Sequence, residues 1–501
     1  MGAYAPETPA EPFGPAREHF DALIEWLSGS VAAGSTHADV EAWIGTDGRE
    51  VQRKLCQGFL DLQALRERRL SGVADADGVL RSRVEVDRER GLAVVFGEVR
   101  ARRMAYRQPG HADLHPADAA LNLPVEKYSH GLRRLAAFES TRGSYADAVE
   151  AIERATGQRL GNRQVEQLAG RAVVDFDAFY ADRCGQPSPA GAALMLSFDG
   201  KGVVMRPSGL RPATAKAART ARRKLSTRLS KGEKRNRKRM AEVAAVYDAV
   251  PVPRTAGDIL ADPGSDRPRT AGPKAANKWL TASVVADAAD VIAAGFAEAD
   301  RRDPGHERTW VALVDGNAHQ IDRIRAEAHA RDVPVTIVVD FVHVIEYVWK
   351  AAWCFYPEGD PAAETWVREQ GLRILAGRSH DSAAAIRRKA TYHGLDPGGR
   401  AAADTCADYL TRLRPYLGYA TALEQGWPIA TGVIEGACRH LVKDRMDITG
   451  ARWGLDGAEA ILKLRALRSN GDFDAYWTYH LAQEHQRIHT SRYLNGIVPA
   501  A

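Results

Sequence analysis

ALMLSFDGKGVV, residues 193–204, is the stretch on which the fold turns. Leu194, Met195, Leu196 and Phe198 form an apolar run that ends in the carboxylate of Asp199. Gly200 and Gly202 bracket Lys201, and Val203, Val204 and Met205 resume the apolar pattern. This predicts a strand carrying Asp199 near its end, a tight turn over the glycines, then a second strand. A carboxylate at the end of a buried strand is costly unless it is paired, hydrogen-bonded or bound to a cation. A lone Asp-Gly is more often a turn aspartate bonding its own backbone. The balance shifts because the arrangement recurs downstream.

WVALVDGNAHQ, residues 310–320, is a second apolar strand ending in Asp-Gly, here Asp315-Gly316, with a helix to follow. VPVTIVVDFVHVIEYVWKAAW, residues 333–353, begins as a third such strand, ends at Asp340 and passes through His343 into a helix. Strand, helix, strand, with an acid closing each strand, is the pattern of an α/β sheet. Functional groups in such sheets gather at the carboxyl ends of the strands. GWPIATGVIEGACRHLVKDRM, residues 426–446, opens a last helix that carries Glu435, with Arg439 and Lys443 one and two turns on.

Working outward, residues 18–70 show apolar residues at helical spacing (Phe20, Leu23, Ile24, Leu27; Leu55, Phe59, Leu62, Leu65). Residues 78–107 alternate as a β-hairpin with a turn near Arg88–Gly91. Its basic end carries Arg100, Arg102, Arg103 and Arg107, which suit either phosphates or a solvated face. Residues 127–182 read as three helices. Ser144 caps the middle one, and the turn TGQRLGN leads to a helix opened by Arg163, Gln164 and Gln167. This resembles a helix-turn-helix, with a plain helical hairpin as the equal alternative. From Arg206 to Arg239, fourteen Lys and Arg face a single acid, Glu233. Arg222, Arg223, Lys224, Lys234, Arg235, Arg237, Lys238 and Arg239 form its dense part, expected to be mobile or weakly helical and to track a nucleic-acid backbone. Residues 361–425 read as helical throughout, an insertion in the sheet domain.

The expected organisation has six parts. Residues 1–125 form a helical region with the basic hairpin, and 126–185 the helix-turn-helix-like region. Residues 186–345 are the first part of the catalytic core, containing 206–239. Residues 346–425 are the helical insertion, 426–475 the last part of the core, and 476–501 a tail. The net charge of +5 is by itself a weak sign of polyanion binding. Five scattered cysteines without a C-x-x-C pair support neither a disulfide framework nor a thiolate zinc site. No signal-peptide pattern and no apolar run of about 18 residues is found, so a cytoplasmic protein without membrane contact is expected.

Asp199, Asp315 and Glu435 are the candidate metal-holding acids. Two-metal phosphoryl transfer uses clustered carboxylates around ions roughly 4 Å apart, and Mg²⁺ favours such hard oxygen donors. SFDGKGV, ALVDGNAHQI, VVDFVHVIEYVW and TGVIEGACRHLVKDRMDITGARW resemble the motifs of DDE insertion-sequence transposases of the ISKra type, related in layout to Mutator-like enzymes. The resemblance covers roughly residues 130–480. It implies an RNase H-like catalytic core and two Mg²⁺ (or Mn²⁺) ions held by Asp199, Asp315 and Glu435. It also implies a D-x-x-H supporting element at Asp340 and His343, with Asp340 as the competing second acid. Asp315 is preferred because its strand-Asp-Gly setting parallels that of Asp199. Arg439, His440, Lys443 and Arg445 suit either the scissile DNA or surface salt bridges. The implied function is cleavage of the element's own double-stranded DNA ends and joining of their 3′-hydroxyls to target DNA, by a homodimer or larger assembly. The rivals are an RNase H-like nuclease without strand transfer and a non-catalytic DNA-binding descendant.

Overall fold

The computed structural model describes residues 11–185, 187–220, 224–262, 268–448 and 450–500. The chain divides into two compact units, Met1–Ala181 with Asp472–Ala501, and Asp182–Gly471. The last long helix, Phe473–Ile488, is therefore part of the first unit rather than a tail. It is held there by buried polar contacts. The Tyr476 hydroxyl donates to the Ala172 carbonyl at 2.8 Å, and Arg133 donates to Glu484 at 2.8 Å.

In the first unit, helices Gly14–Ser28 and His37–Arg66 lead into strands β1 (Arg83–Val94) and β2 (Gly97–Arg107). A capping box between Thr36 and Asp39 starts the longer helix. The strands pair antiparallel with the turn at residues 95–96, later than the sequence suggests. The residues of the expected turn, Arg88–Gly91, are paired with Arg103–Arg100, and a register shift lies just before them, between Glu85 and Arg88, with Asp87 at a φ of 51°. A local irregularity of this kind is a bulge. Pairing continues past it because Leu92, Val94, Val99 and Ala101 share one buried face with Leu60.

Four helices follow where three were expected: His130–Ser140, Tyr145–Thr156, Asn162–Arg171 and Phe176–Asp182. The predicted Ser144 cap is present, and Gly157 ends that helix in the left-handed conformation at φ 69°. The expected long helix breaks after Arg171. The break aims Asp175 at His480 Nδ1 (2.6 Å) and Arg487 (2.8 Å). Leu132, Ile152, Val165 and Leu168 form the core of the first three helices.

The second unit is a mixed α/β domain. Its strands are β3 (Ala193–Val204), β4 (Lys238–Ala249), β5 (Ala275–Ser283), β6 (Trp310–Val314) and β7 (Val335–Val339). They lie in the order β5-β4-β3-β6-β7. β4 runs antiparallel to β3 and β5, and β6 runs parallel to β3 and β7. The expected turn at Gly200–Gly202 is absent, because β3 runs straight through it and pairs with β4 to Val204. The glycines are there for close approach. A Cβ on Gly200 would lie 2.9 Å from Met240 Cε, and one on Gly202 2.9 Å from Lys238 Cδ. Helix Ala288–Arg302 covers one face, where Gly295 lets Phe198 in. The helical insertion is present as Pro361–Leu375, Ser379–Tyr392, Ala401–Arg412 and Tyr419–Glu424.

Candidate functional site

The sheet register aligns three aspartates. Ser197 of β3 pairs with Leu313 of β6, and Val314 pairs with Val339 of β7. Stepping these registers forward sets Asp199, Asp315 and Asp340 at one level on neighbouring parallel strands. Strands lie about 4.8 Å apart, so Asp199 and Asp315 are one spacing apart and Asp199 and Asp340 two.

Glu435 arrives from helix Gly432–Ala437, which packs against β3 and β4. Both ends of this segment are tied to the aspartates. At its start the Thr431 hydroxyl donates to Asp340 Oδ2, and the Thr431 N–H lies 3.3 Å from the same atom. At its end the Cys438 thiol donates to Asp199 Oδ2 at 3.3 Å. Seven residues of helix advance about 10 Å, which matches two strand spacings. Glu435 lies between these ties, its Oε1 3.3 Å from Thr431 Oγ1.

The three aspartates differ in how many of their lone pairs are taken. Asp340 is fully buried. Its Oδ1 accepts the Val342 N–H at 2.7 Å, capping helix Phe341–Ala352, while Oδ2 meets Thr431 and His343 Nδ1 (3.2 Å). Asp315 and Asp199 are half-buried. Asp315 Oδ1 accepts the Asn317 N–H at 2.8 Å, and Asp199 Oδ1 accepts the Gly200 N–H at 2.6 Å. Asp340, His343 and Glu435 have ligand atoms within 4.8 Å of one another, the one such group of His, Cys, Asp and Glu among the described residues. Neither Asp199 nor Asp315 belongs to it.

Electrostatics follow the crowding of acids. Burial is the largest single influence on the His343 imidazole and would lower it, but the Asp340 hydrogen bond and the Asp340, Glu346 and Asp315 charges together outweigh it, and the pKa rises. Burial and then the Asp199 carboxylate push the Cys438 thiol up, so it stays a protonated donor. Glu242 of β4 pairs with Gly200, and burial together with the Asp199 and Asp287 carboxylates raises its pKa. Glu242, Thr431 and Cys438 are site residues that the sequence reading misses. Only the β3–β4 register and the helix seating reveal them.

The insertion supports the strand ends. The Tyr409 hydroxyl donates to the Asp315 carbonyl at 3.0 Å, and the Tyr419 hydroxyl to the Val339 carbonyl at 2.8 Å. Gly316, at φ 89°, leaves the room that Leu413 and Tyr409 occupy. Beyond Glu435 the helix widens into a π turn, Cys438–Lys443. Such turns often mark functional sites. The Arg465 guanidinium accommodates this one by donating to the carbonyls of His440 and Leu441. Widening removes the even helical spacing expected for Arg439 and Lys443, which are both exposed. Arg445 is buried with its guanidinium 4.7 Å over the Trp453 ring, so it is not at the surface as expected.

The basic candidates also separate. Arg222 and Arg223 lie outside the described residues. Lys224, Lys234, Arg235, Arg237 and Lys238 are exposed, and among the described residues none is ion-paired. The segment holds short helices, Pro212–Thr220 and Lys231–Arg235, the second closed by a capping box between Ser230 and Glu233. Arg239 differs, donating to the carbonyls of Val284, Gly209 (3.3 Å) and Val285 (3.4 Å). It holds backbone together and is not presented to a ligand. In the first unit Arg163, Gln164 and Gln167 are exposed on helix Asn162–Arg171, although the Gln164 side chain accepts the Gly161 N–H at 2.6 Å. No helix among the described residues is long and apolar enough to cross a membrane. No protein-family model and no curated protein matches the chain.

Proposed function

We propose that this chain is a DNA transposase of the DDE type. On this reading it cuts the ends of its own element and joins the freed 3′-hydroxyls to target DNA. The observation that carries the reading is the level of Asp199, Asp315 and Asp340 on neighbouring parallel strands, with Glu435 on a helix segment tied at its start to Asp340 and at its end to Asp199. Hard oxygen donors in this number suit Mg²⁺ or Mn²⁺. Asp199, Asp315 and Glu435 would hold the metal. A bound divalent cation lowers the pKa of an attacking water or hydroxyl and stabilises the leaving oxygen.

Asp340 is assigned a positioning role. Its oxygens are already engaged by Val342, His343 and Thr431, and it lies two strands from Asp199. Through Thr431 it fixes where the Glu435 helix begins. His343 Nδ1 lies 3.2 Å from Asp340 Oδ2, which raises the pKa of the imidazole. Lys224, Lys234, Arg235, Arg237 and Lys238 bind phosphates without reading bases. The helix opened by Arg163, Gln164 and Gln167 supplies side chains for base edges, subject to the backbone bond that Gln164 already makes.

The test is incubation of the purified protein with the DNA that flanks its gene, in Mg²⁺ and in EDTA. Metal-dependent joined products support a transposase. Cleavage alone means a nuclease, and binding alone a non-catalytic DNA-binding protein.

A further inference from the structure

The end of the β3–β4 pair carries a cavity that the site described above does not use. Past Val204 the chain is held from both sides. The Met205 N–H donates to the Arg237 carbonyl at 3.0 Å, the Trp453 N–H to the Val204 carbonyl at 3.1 Å and the Arg206 N–H to the Trp453 carbonyl at 2.7 Å. These bonds bring Arg237 and Arg452 together from distant parts of the chain. A short turn, Pro207–Gly209, then leads to helix Pro212–Thr220. Between these parts lies a cavity of about 400 Å³, a volume usual for small-ligand sites. Val204, Met205, Leu210, Ala215 and Ala218 give it an apolar lining, and Arg219, Arg237 and Arg452 stand around it, exposed. None of these three arginines is ion-paired among the described residues, and no acid lines the cavity. None of the 9 residues of helix Pro212–Thr220 is buried. A helix this short is marginal unless it packs on something, and its small residues Ala215 and Ala218 are cavity wall.

We propose that this cavity receives one unpaired nucleobase of bound DNA, with the phosphates on either side of it held by Arg219, Arg237 and Arg452. The inference rests on the DNA-binding reading above and adds to it a place for a base. Charge complementarity selects the occupant. Three uncompensated cations call for an anion, and the guanidinium fork matches phosphate oxygens. The apolar lining calls for an apolar face beside that anion. A nucleotide offers both, since every base has a flat face next to a charged backbone. A base stacked in a duplex cannot enter. The occupant is therefore a base that is flipped out, mismatched or in a single strand, where unstacking costs least. Asn236 is the one neutral polar side chain that lines the cavity. Its amide both donates and accepts, so it suits the edge of any base. The site thus selects unpaired over paired, and not one base over another.

The test is binding of the full chain, in EDTA, to three duplexes that differ at one position: a bulged thymidine, an abasic residue in the same bulge, and no bulge. The two bulged duplexes carry the same charge, so counterion release is common to both. The expected result is about 10-fold tighter binding of the thymidine bulge than of the abasic one, the effect of one accommodated base. Ala215→Leu/Ala218→Leu fills the cavity with good helix formers. It should remove that preference and leave affinity for the unbulged duplex unchanged. Ala213→Leu, exposed on the same helix and outside the cavity, should keep the preference. Thermal melts check that each variant folds. Should the Leu pair melt early, Ala218→Met alone fills the same space and must weaken the preference. Equal binding of all three duplexes overturns the inference and leaves the DNA-binding reading standing. So does a preference that the Leu pair does not touch, or one that Ala213→Leu abolishes equally. Binding to none of the three overturns both, and leaves an acidic peptide with an apolar side chain as the occupant that the lining fits.

Discussion

Two arginine-rich regions of this molecule have opposite fates. In the β1–β2 hairpin every basic candidate has found an acid: Arg100 pairs with Glu89 (2.8 Å), Arg102 with Asp61 (2.9 Å), Arg103 with Asp118 (2.9 Å) and Arg107 with Glu85 (2.6 Å). In the segment from Arg206 to Arg239 the one acid, Glu233, caps a short helix through Ser230, and Lys224, Lys234, Arg235, Arg237 and Lys238 are exposed and make no ion pair among the described residues. The hairpin carries seven Arg and four acids in residues 83–107, the other segment fourteen Lys and Arg and one acid in residues 206–239. What separates them is whether the fold brings acids into register. A cation already paired must break that pair to meet a phosphate, and one facing water has only counterions to release.

The largest effect expected from this contrast is on DNA affinity. Changing Lys224, Lys234, Arg235, Arg237 and Lys238 to Gln should weaken binding to any duplex and make the slope of log K against log salt shallower by about four to five, at about 0.9 per phosphate contact. A salt titration on random and flanking duplexes measures it, and a loss confined to flanking DNA would mean that the segment reads bases. The next effect is on stability. Arg103 is nearly buried and also donates to the Arg88 carbonyl at 2.7 Å. Arg103→Met should cost about 3 kcal/mol, since it leaves Asp118 partly uncompensated, and should leave the salt slope alone. Arg239→Gln probes the exception in the other region. Losing its carbonyl contacts should cost about 1–2 kcal/mol in chemical denaturation without altering the slope. Smallest is Arg100→Gln, whose exposed pair with Glu89 is worth less than about 1 kcal/mol. A slope change there as large as that of the quintuple variant would erase the distinction between the regions.

The same contrast shows what a sequence can carry. The apolar runs leading to Asp199, Asp315 and Asp340 are legible as strands because buried strands read as apolar runs and an acid closing such a run stands out, although β3 continues past Asp199 to Val204. The Ser144 cap was legible because capping is local chemistry. The pairings that decide function are not local. Glu242 becomes a neighbour of Asp199 only through the β3–β4 register, and Arg239 becomes structural only because the carbonyls of Gly209, Val284 and Val285 converge on it. Gly200 and Gly202 read as a turn, since glycine serves turns and close approach alike. The apolar spacing of Leu55 and Phe59 predicted a helix and found one. Spacing cannot say whether the apolar face meets the same chain.

The central claim is that Asp315, beside Asp199, holds metal for DNA cleavage, while Asp340 holds the Glu435 helix in place. Metal-dependent cleavage of flanking DNA by Asp199→Asn, Asp315→Asn and Asp340→Asn, each with its thermal melt, tests it most directly. The account predicts that Asp199→Asn and Asp315→Asn melt within a few degrees of wild type and lose cleavage by about 100-fold or more. It predicts that Asp340→Asn melts clearly lower, because a buried carboxylate with three partners is altered, and keeps measurable cleavage. Wild-type cleavage by Asp315→Asn, with Asp340→Asn inactive at an unchanged melting temperature, would contradict it.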